Sequence, residues 1–422
     1  MRKVKVYLLI TVGFFLGSCA DNHQTITTLS SPAGANSAQP HLSLLPSGQP
    51  LLSWLETKDS AATLKYSRLV ATIWTPASTV SEGTDWFVNW ADFPSVVPLS
   101  EDKLAAHWLK KRPGGTYAYD VVVSHSEDSG ETWSEALTPH TDATATEHGF
   151  VSLFPWQQQA GLIWLDGREM AVESHGNGTI DDIDHSNHST DSAKGMTLRS
   201  AIIHADNTLS QEHVIDDLVC ECCQTDAATT SNGPVVIYRN RTAEEIRDIY
   251  ISRFDEGKWT QGQAIAEDLW EIEGCPVNGP AIAAKGESLV IAWFTLAGGV
   301  SKVRFIQSLD AGQSFSTPVD IDTESPIGRV DVDFLADDSA AISWVRRSNT
   351  GVGEIVVSRV TPEGIQKNLL VIAPISTSRP SGFPQMVHTN DSLVFAWTDI
   401  TDGISTVKTA RLETTELYHP SR

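Results

Sequence analysis

The chain is poor in positive charge and poor in cysteine, and past its first sixteen residues it has no apolar run long enough to cross a bilayer. Lysine and arginine number 30 against 53 aspartates and glutamates, for a net charge of −23. A surface of that sign repels phosphate backbones and anionic lipid, which argues against nucleic acid as a partner. The lack of later apolar runs argues against a membrane-spanning core. No stretch beyond the N-terminus carries a helical period, so the expected class is all-β. No composition shift marks an internal linker, so about 380 residues are expected to close into one unit and act as a monomer.

What is present begins with the N-terminus. Met1-Arg2-Lys3-Val4-Lys5 is a basic start, and Val6 to Leu16 is apolar but too short for a stable span. The segment ends Leu16-Gly17-Ser18-Cys19, which resembles the lipobox of bacterial lipoproteins. That resemblance implies a signal peptide over residues 1–18 and a lipid on Cys19. It also implies a place in the cell envelope, at the outer membrane or in the periplasm. Residues 19–39, rich in small and polar side chains, read as a tether, with Ile26 to Leu29 as a strand available to close a ring. The main domain is expected over 40–422.

Inside that domain an aromatic ends a short apolar run at Trp54, Trp108, Trp164, Tyr238, Trp293, Trp344 and Trp397. The spacing is 51 to 56 residues apart from one gap of 74. Such a period means one supersecondary unit repeated. Around Trp293 the unit reads as four short strands. Pro280–Ala284 is followed by a Lys-Gly-Glu turn and then by Ser288–Trp293. Lys302–Gln307 alternates with period two, and a shorter strand lies near Phe315–Ile321. Four-stranded units repeated radially form a β-propeller. Seven blades are counted, or six if one unit is irregular, and the two termini are expected to complete one blade together.

Two turns share S-x-D-x-G-x-[TS]-[WF]. One is Ser126 to Trp133, with Asp128 and Gly130; the other is Ser308 to Phe315, with Asp310 and Gly312. Ser252 to Trp259 is a degraded third copy. These turns resemble the Asp-box, or BNR repeat, of the sialidase superfamily, where they are structural. The resemblance implies a sialidase-like propeller and, for its enzymes, an exo-α-sialidase activity. There three arginines hold the substrate carboxylate, a Tyr activated by a Glu is the nucleophile, and an Asp is acid/base. The early Arg-Ile-Pro segment of that family is absent here, and Pro40-His41 stands in its place.

Superposing the units on their aromatics gathers the loops that enter each inner strand. They carry Asn89, Trp90 and Asp92; Glu147 and His148; Cys222 and Cys223; Cys275; Arg329; and Arg379 with Ser381. Convergent groups of this kind at one mouth make a candidate pocket for a glycan or other small anion. From rim position Asp92, Glu147 and Tyr238 are the catalytic candidates. Trp90, His148, Arg168, Arg239, Arg329 and Arg379 are the substrate-binding ones. A second polar set includes Glu56, Lys110, Asp166, Arg168, Arg239, Arg346 and Asp399. It follows the second strands and is expected at their opposite end.

Two alternatives use the same rim. One is a non-catalytic platform for a glycan or protein. The other is a metal or redox site. No cofactor is required by the hydrolase reading. The cysteines allow disulfides, with Cys223–Cys275 between blades and Cys220–Cys222 strained, or reactive thiols. They also allow a thiolate–imidazole site for copper or zinc with His148 and Asp92 nearby. The long gap holds a polar insertion, Glu173 to His188, with three histidines and several aspartates. It reads as a solvated loop or flap, with weak metal binding as the alternative.

Overall fold

A computed structural model describes residues 26–171 and 195–418. The lipobox, Cys19, the first part of the tether and the histidine-rich insertion lie outside the described residues.

Seven antiparallel sheets form seven blades in chain order around a central channel. The second strands explain why the aromatics recur. In Ser288–Thr295, Leu289, Ile291 and Trp293 face the preceding blade, while Val290, Ala292 and Phe294 face the following one. A strand buried on both faces must read as a continuous apolar run. Each of seven hydrophobic clusters joins one pair of neighbouring blades, so the core is a ring of seven interfaces. Burying one large side chain there stabilises by roughly 1.5–3 kcal/mol.

A buried indole or phenol also needs an acceptor. Trp54, Trp164, Trp293 and Trp344 donate to Glu56, Asp166, Asp268 and Asp322 at 2.7 to 2.9 Å, and Tyr238 donates to Asp216 at 2.5 Å. The repeat therefore carries an acid for most of its buried aromatics.

The ring closes through the N-terminal strand Ile26–Leu29, which pairs with Ile404–Glu413 and completes the last blade as its outer strand. Blade 2 shows three strands, and its outer edge is reduced to a bridge between Val123 and Leu137. Inner strands of adjacent blades are clipped together by side chains. Asp226 accepts from Ile282 N, Asp331 from Met386 N and Asp333 from His388 N, at 2.6 to 2.8 Å. Burial pushes these carboxyls up, to about 7 for Asp226 and about 6 for Asp333, and well above the ordinary value for Asp331.

The two S-x-D-x-G turns fold alike. Ser126 and Ser308 each accept a hydrogen bond from the glycine N–H four residues on, and Asp128 and Asp310 each accept from the backbone and hydroxyl of Thr132 and Ser314. Those bonds hold both carboxylates near a pKa of about 2. Gly130 has φ +90°, and a Cβ there would lie 1.9 Å from the Tyr66 hydroxyl. Only glycine fits.

Candidate active site at the channel mouth

Antiparallel pairing decides which residues share an end of the propeller. His148, which opens an inner strand, lies opposite Asp166, which ends a second strand, and Ser37 lies opposite Glu56. The second polar set therefore shares the mouth with the inner-strand loops. This corrects the expectation that it lies at the opposite end, because a hairpin returns its second strand to the end where the first began.

At that mouth Asp92 and Glu147 converge on one hydroxyl. Tyr119, at the start of the third strand of blade 2, lies 2.7 Å from Asp92 Oδ2 and 2.6 Å from Glu147 Oε1. Asp92 Oδ1 also accepts from Phe150 N at 2.8 Å. A phenol has one proton and can donate to only one oxygen at a time. Two carboxyls bonded to the same phenol oxygen are thus satisfied only if one of them is protonated and donates back. The burial agrees, since Tyr119 is 0% and Asp92 2% exposed. Desolvation pushes Asp92 up to about 7. Desolvation raises Glu147 to about 8, with Asp92, Cys275 and Glu221 adding repulsion. Burial and the two carboxyls hold the Tyr119 phenol well above its usual value. The three groups form a proton-holding unit with Glu147 as its most exposed member.

Beside it lies an aromatic and cationic patch built from blades 2, 6 and 7. Trp90 and Phe383 stack at 5.8 Å and 9°. The Arg329 guanidinium sits 5.6 Å from Trp90 and 5.9 Å from Phe383, and that of exposed Arg379 lies 6.0 Å from Trp90. Arg329 Nη1 donates to Ser381 Oγ at 2.7 Å, and Nη2 to Ser378 O at 3.0 Å. It forms no ion pair among the described residues, and burial lowers its pKa to about 10.

The other arginine candidates are committed elsewhere. Arg239 is 1% exposed and donates to the carbonyls of Asn278, Arg247 and Phe294, tying blade 4 to blade 5. Arg168 grips Asp166 through Nε at 2.8 Å and Nη2 at 2.6 Å, and pairs with Glu212. Of the arginines expected to bind substrate, Arg329 and Arg379 remain, because the second-strand position of Arg239 points it into a blade interface and Arg168 is held by Asp166 and Glu212. Tyr238 lies in the core between blades 3 and 4, where its hydroxyl donates to Asp216 rather than to Asp92 or Glu147.

His148 is fully buried. Its Nε2 meets Asp142 at 3.0 Å and its Nδ1 the Tyr119 carbonyl at 3.2 Å, while its ring stacks on His140 at 3.8 Å. Those bonds separate it from the cysteines, so the mixed thiolate–imidazole set does not form. Asp92 likewise is turned to Tyr119 and Phe150 rather than to sulfur.

The four cysteines among the described residues are free thiols gathered at the mouth. Cys220 Sγ lies 2.7 Å from Cys223 Sγ and 3.9 Å from Cys222 Sγ, and Cys275 approaches Cys222 from the next blade. The nearest partners therefore differ from the expected Cys223–Cys275 and Cys220–Cys222 pairs. In the turn at 221–222 the sulfur of residue 223 folds back on that of residue 220.

Sequence reasoning missed Tyr119, His140 and Asp142. Superposition on the aromatics collected only loops entering inner strands, whereas Tyr119 opens a third strand that starts at the same mouth. His140-x-Asp142 followed by Glu147-His148 was the readable signal for the histidine pair.

No family model and no curated protein matches the chain. Among solved structures, the fold is similar to that of a protein of unknown function from Dyadobacter fermentans. The TM-score is 0.48 at 13% identity, over 92% of this chain and 97% of that one. It is also similar to the NanB sialidase from Streptococcus pneumoniae, at TM-score 0.45 and 11% identity over 87% and 84% of the two chains. A Trypanosoma rangeli sialidase in complex with the inhibitor DANA gives 0.46 and 11% over 80% and 56%. The chain forms a seven-bladed β-propeller.

Proposed function

We propose that the protein is a lipid-anchored glycoside hydrolase of the cell envelope that takes an acidic, sialic-acid-type glycan at the channel mouth. The observation that carries this reading is the pair of carboxyls on one tyrosine hydroxyl, an arrangement that keeps a proton available at neutral pH. Glycoside cleavage needs an acid whose pKa is raised to protonate the departing oxygen. Glu147, the most exposed of the three, is the acid; Tyr119 and Asp92 are positioning residues that hold its proton. Trp90 offers a face for a sugar ring, and Arg329 and Arg379 offer charge to a carboxylate. Under this reading the two S-x-D-x-G turns are Asp boxes and Cys19 carries the lipid.

Turnover of fluorogenic sialosides and uronosides by the purified protein tests it. Glu147→Gln is expected to lower kcat by about 100-fold or more, and Arg379→Ala to raise KM with kcat kept.

A non-catalytic glycan-binding platform is the second reading. It is favoured by the burial of Tyr119 and Asp92 and by the commitment of Arg168 and Arg239 to protein acceptors. Binding on a glycan array without turnover across the panel would select it. Neither binding nor turnover would remove both.

A further inference from the structure

The hydrolase reading leaves the cysteines unused. Three sulfurs from one C-x-C-C turn, Cys220, Cys222 and Cys223, lie within 4.8 Å of one another. A fourth, Cys275, approaches Cys222 from a different blade, some fifty residues on in the sequence, and lies outside the 4.8 Å group. The surroundings suit anionic sulfur. Arg247 Nη1 lies 3.5 Å from Cys220 Sγ, and the same guanidinium is fixed by Glu221 at 2.9 Å and by Glu245 at 2.8 Å. Arg241 bonds the same two glutamates from the other side. A donor held this firmly beside a sulfur is what orients and tunes a metal-bound thiolate from the outer shell.

We propose that Cys220, Cys222, Cys223 and Cys275 form a binding site for one thiophilic d10 cation, Zn(II) or Cu(I), at the mouth of the propeller. A tetrahedral site with metal–sulfur bonds of about 2.3 Å has sulfurs about 3.8 Å apart. The Cys220–Cys222 separation of 3.9 Å already matches that edge. An ion would part the Cys220–Cys223 pair, now 2.7 Å apart, by about 1 Å. Cys220 and Cys223 are buried and Cys275 is exposed, so the cation enters from the Cys275 side. Each thiol that binds gives its proton to solvent, and no electron is transferred. All four ligands are sulfur, which selects soft cations over calcium or magnesium. The neighbouring His140–His148 group differs in kind: its carboxylates Asp120, Asp142 and Asp166 already pair with Arg112 and Arg168.

The experiment uses the full chain, purified under nitrogen. Elemental analysis and alkylation without prior reduction are followed by titration with Zn(II), with Cu(I) and with Co(II) as the spectroscopic probe. One equivalent of zinc or copper is expected, and Co(II) should give the intense thiolate charge-transfer and d–d bands of a tetrahedral sulfur site. The Zn(II) and Cu(I) competition arms decide which ion is held more tightly. Cys275→Ser, at an exposed position, is expected to weaken binding at least tenfold with the melting temperature unchanged. Cys220→Ser should abolish binding. Disulfides joining these four cysteines in the anaerobic protein, or all four as titratable thiols that take up no ion, would overturn the proposal. Unchanged affinity in Cys275→Ser would overturn the four-sulfur site.

Discussion

Replacing Asp92 by Asn tests whether the mouth stores a proton. The two side chains are nearly isosteric. The amide oxygen can accept from Phe150 N–H and the amide nitrogen can donate to the Tyr119 oxygen, leaving the phenol proton for Glu147. In the native protein the Asp92–Tyr119–Glu147 unit holds at least one proton more than the same groups in the unfolded chain. That difference opens near the ordinary carboxyl value and closes near the folded values of about 7 and about 8. Because the folded pKa is raised, the folded state binds more protons in this window, and stability falls as pH rises through it. One proton corresponds to about 1.4 kcal/mol per pH unit, or about 4 kcal/mol between pH 5 and pH 8. Below about pH 4 both states are protonated and the term vanishes. Urea unfolding of both proteins, monitored by tryptophan fluorescence from pH 5 to 9, reads it directly. The native protein should lose stability across the window, the Asn variant should lose at most half as much, and the variant should be the more stable of the two at pH 8.5. Parallel curves, or a native protein whose stability does not fall between pH 5 and 8, would refute the shared proton.

Four further outcomes follow from the same geometry. If Glu147 is the acid, kcat/KM on a fluorogenic glycoside should fall as pH rises through about 8, and a flat alkaline limb would count against it. Gly130→Ala should cost about 3 kcal/mol or more, because left-handed strain of about 1–2 kcal/mol adds to the clash with Tyr66. Gly257→Ala, with φ +82° and open space around it, should cost only the strain; chemical denaturation separates the two. Trp344→Phe should cost about 2–4 kcal/mol, since it removes buried area and leaves Asp322 without its indole donor. Deleting residues 26–30 removes the strand paired to Ile404–Glu413 and should lower the melting temperature and open the last blade to limited proteolysis.

The fold was legible because its determinants are local and repeated. A second strand buried on both faces must be an apolar run, its large aromatic must end where an acid can receive the indole proton, and tight turns must carry Asp and Gly. Trp293 and Trp344 announce all of this in a few residues each. The rim was legible only in outline. Superposition found Asp92 and Glu147 on loops of adjacent blades, and it found Trp90, Arg329 and Arg379 on loops distant in sequence. It also selected Arg239 and Tyr238, whose strands turn them into blade interfaces, and it passed over Tyr119. A fifty-residue period fixes which end of the propeller a residue occupies, but not whether its side chain meets the channel, a neighbouring blade or solvent.

The sequence by itself determined the class, the repeated four-stranded unit, the Asp-Gly turns and the negative charge, because periodicity and turn chemistry act within a few residues; that the blades are seven and not six was decided by the structure. Only the tertiary structure decided that one tyrosine hydroxyl joins two carboxyls, that His148 is walled off from the thiols, and that Cys275 reaches Cys222. Those contacts join residues far apart in sequence, which meet only when neighbouring blades pack, and the ring that packs them closes through Ile26–Leu29.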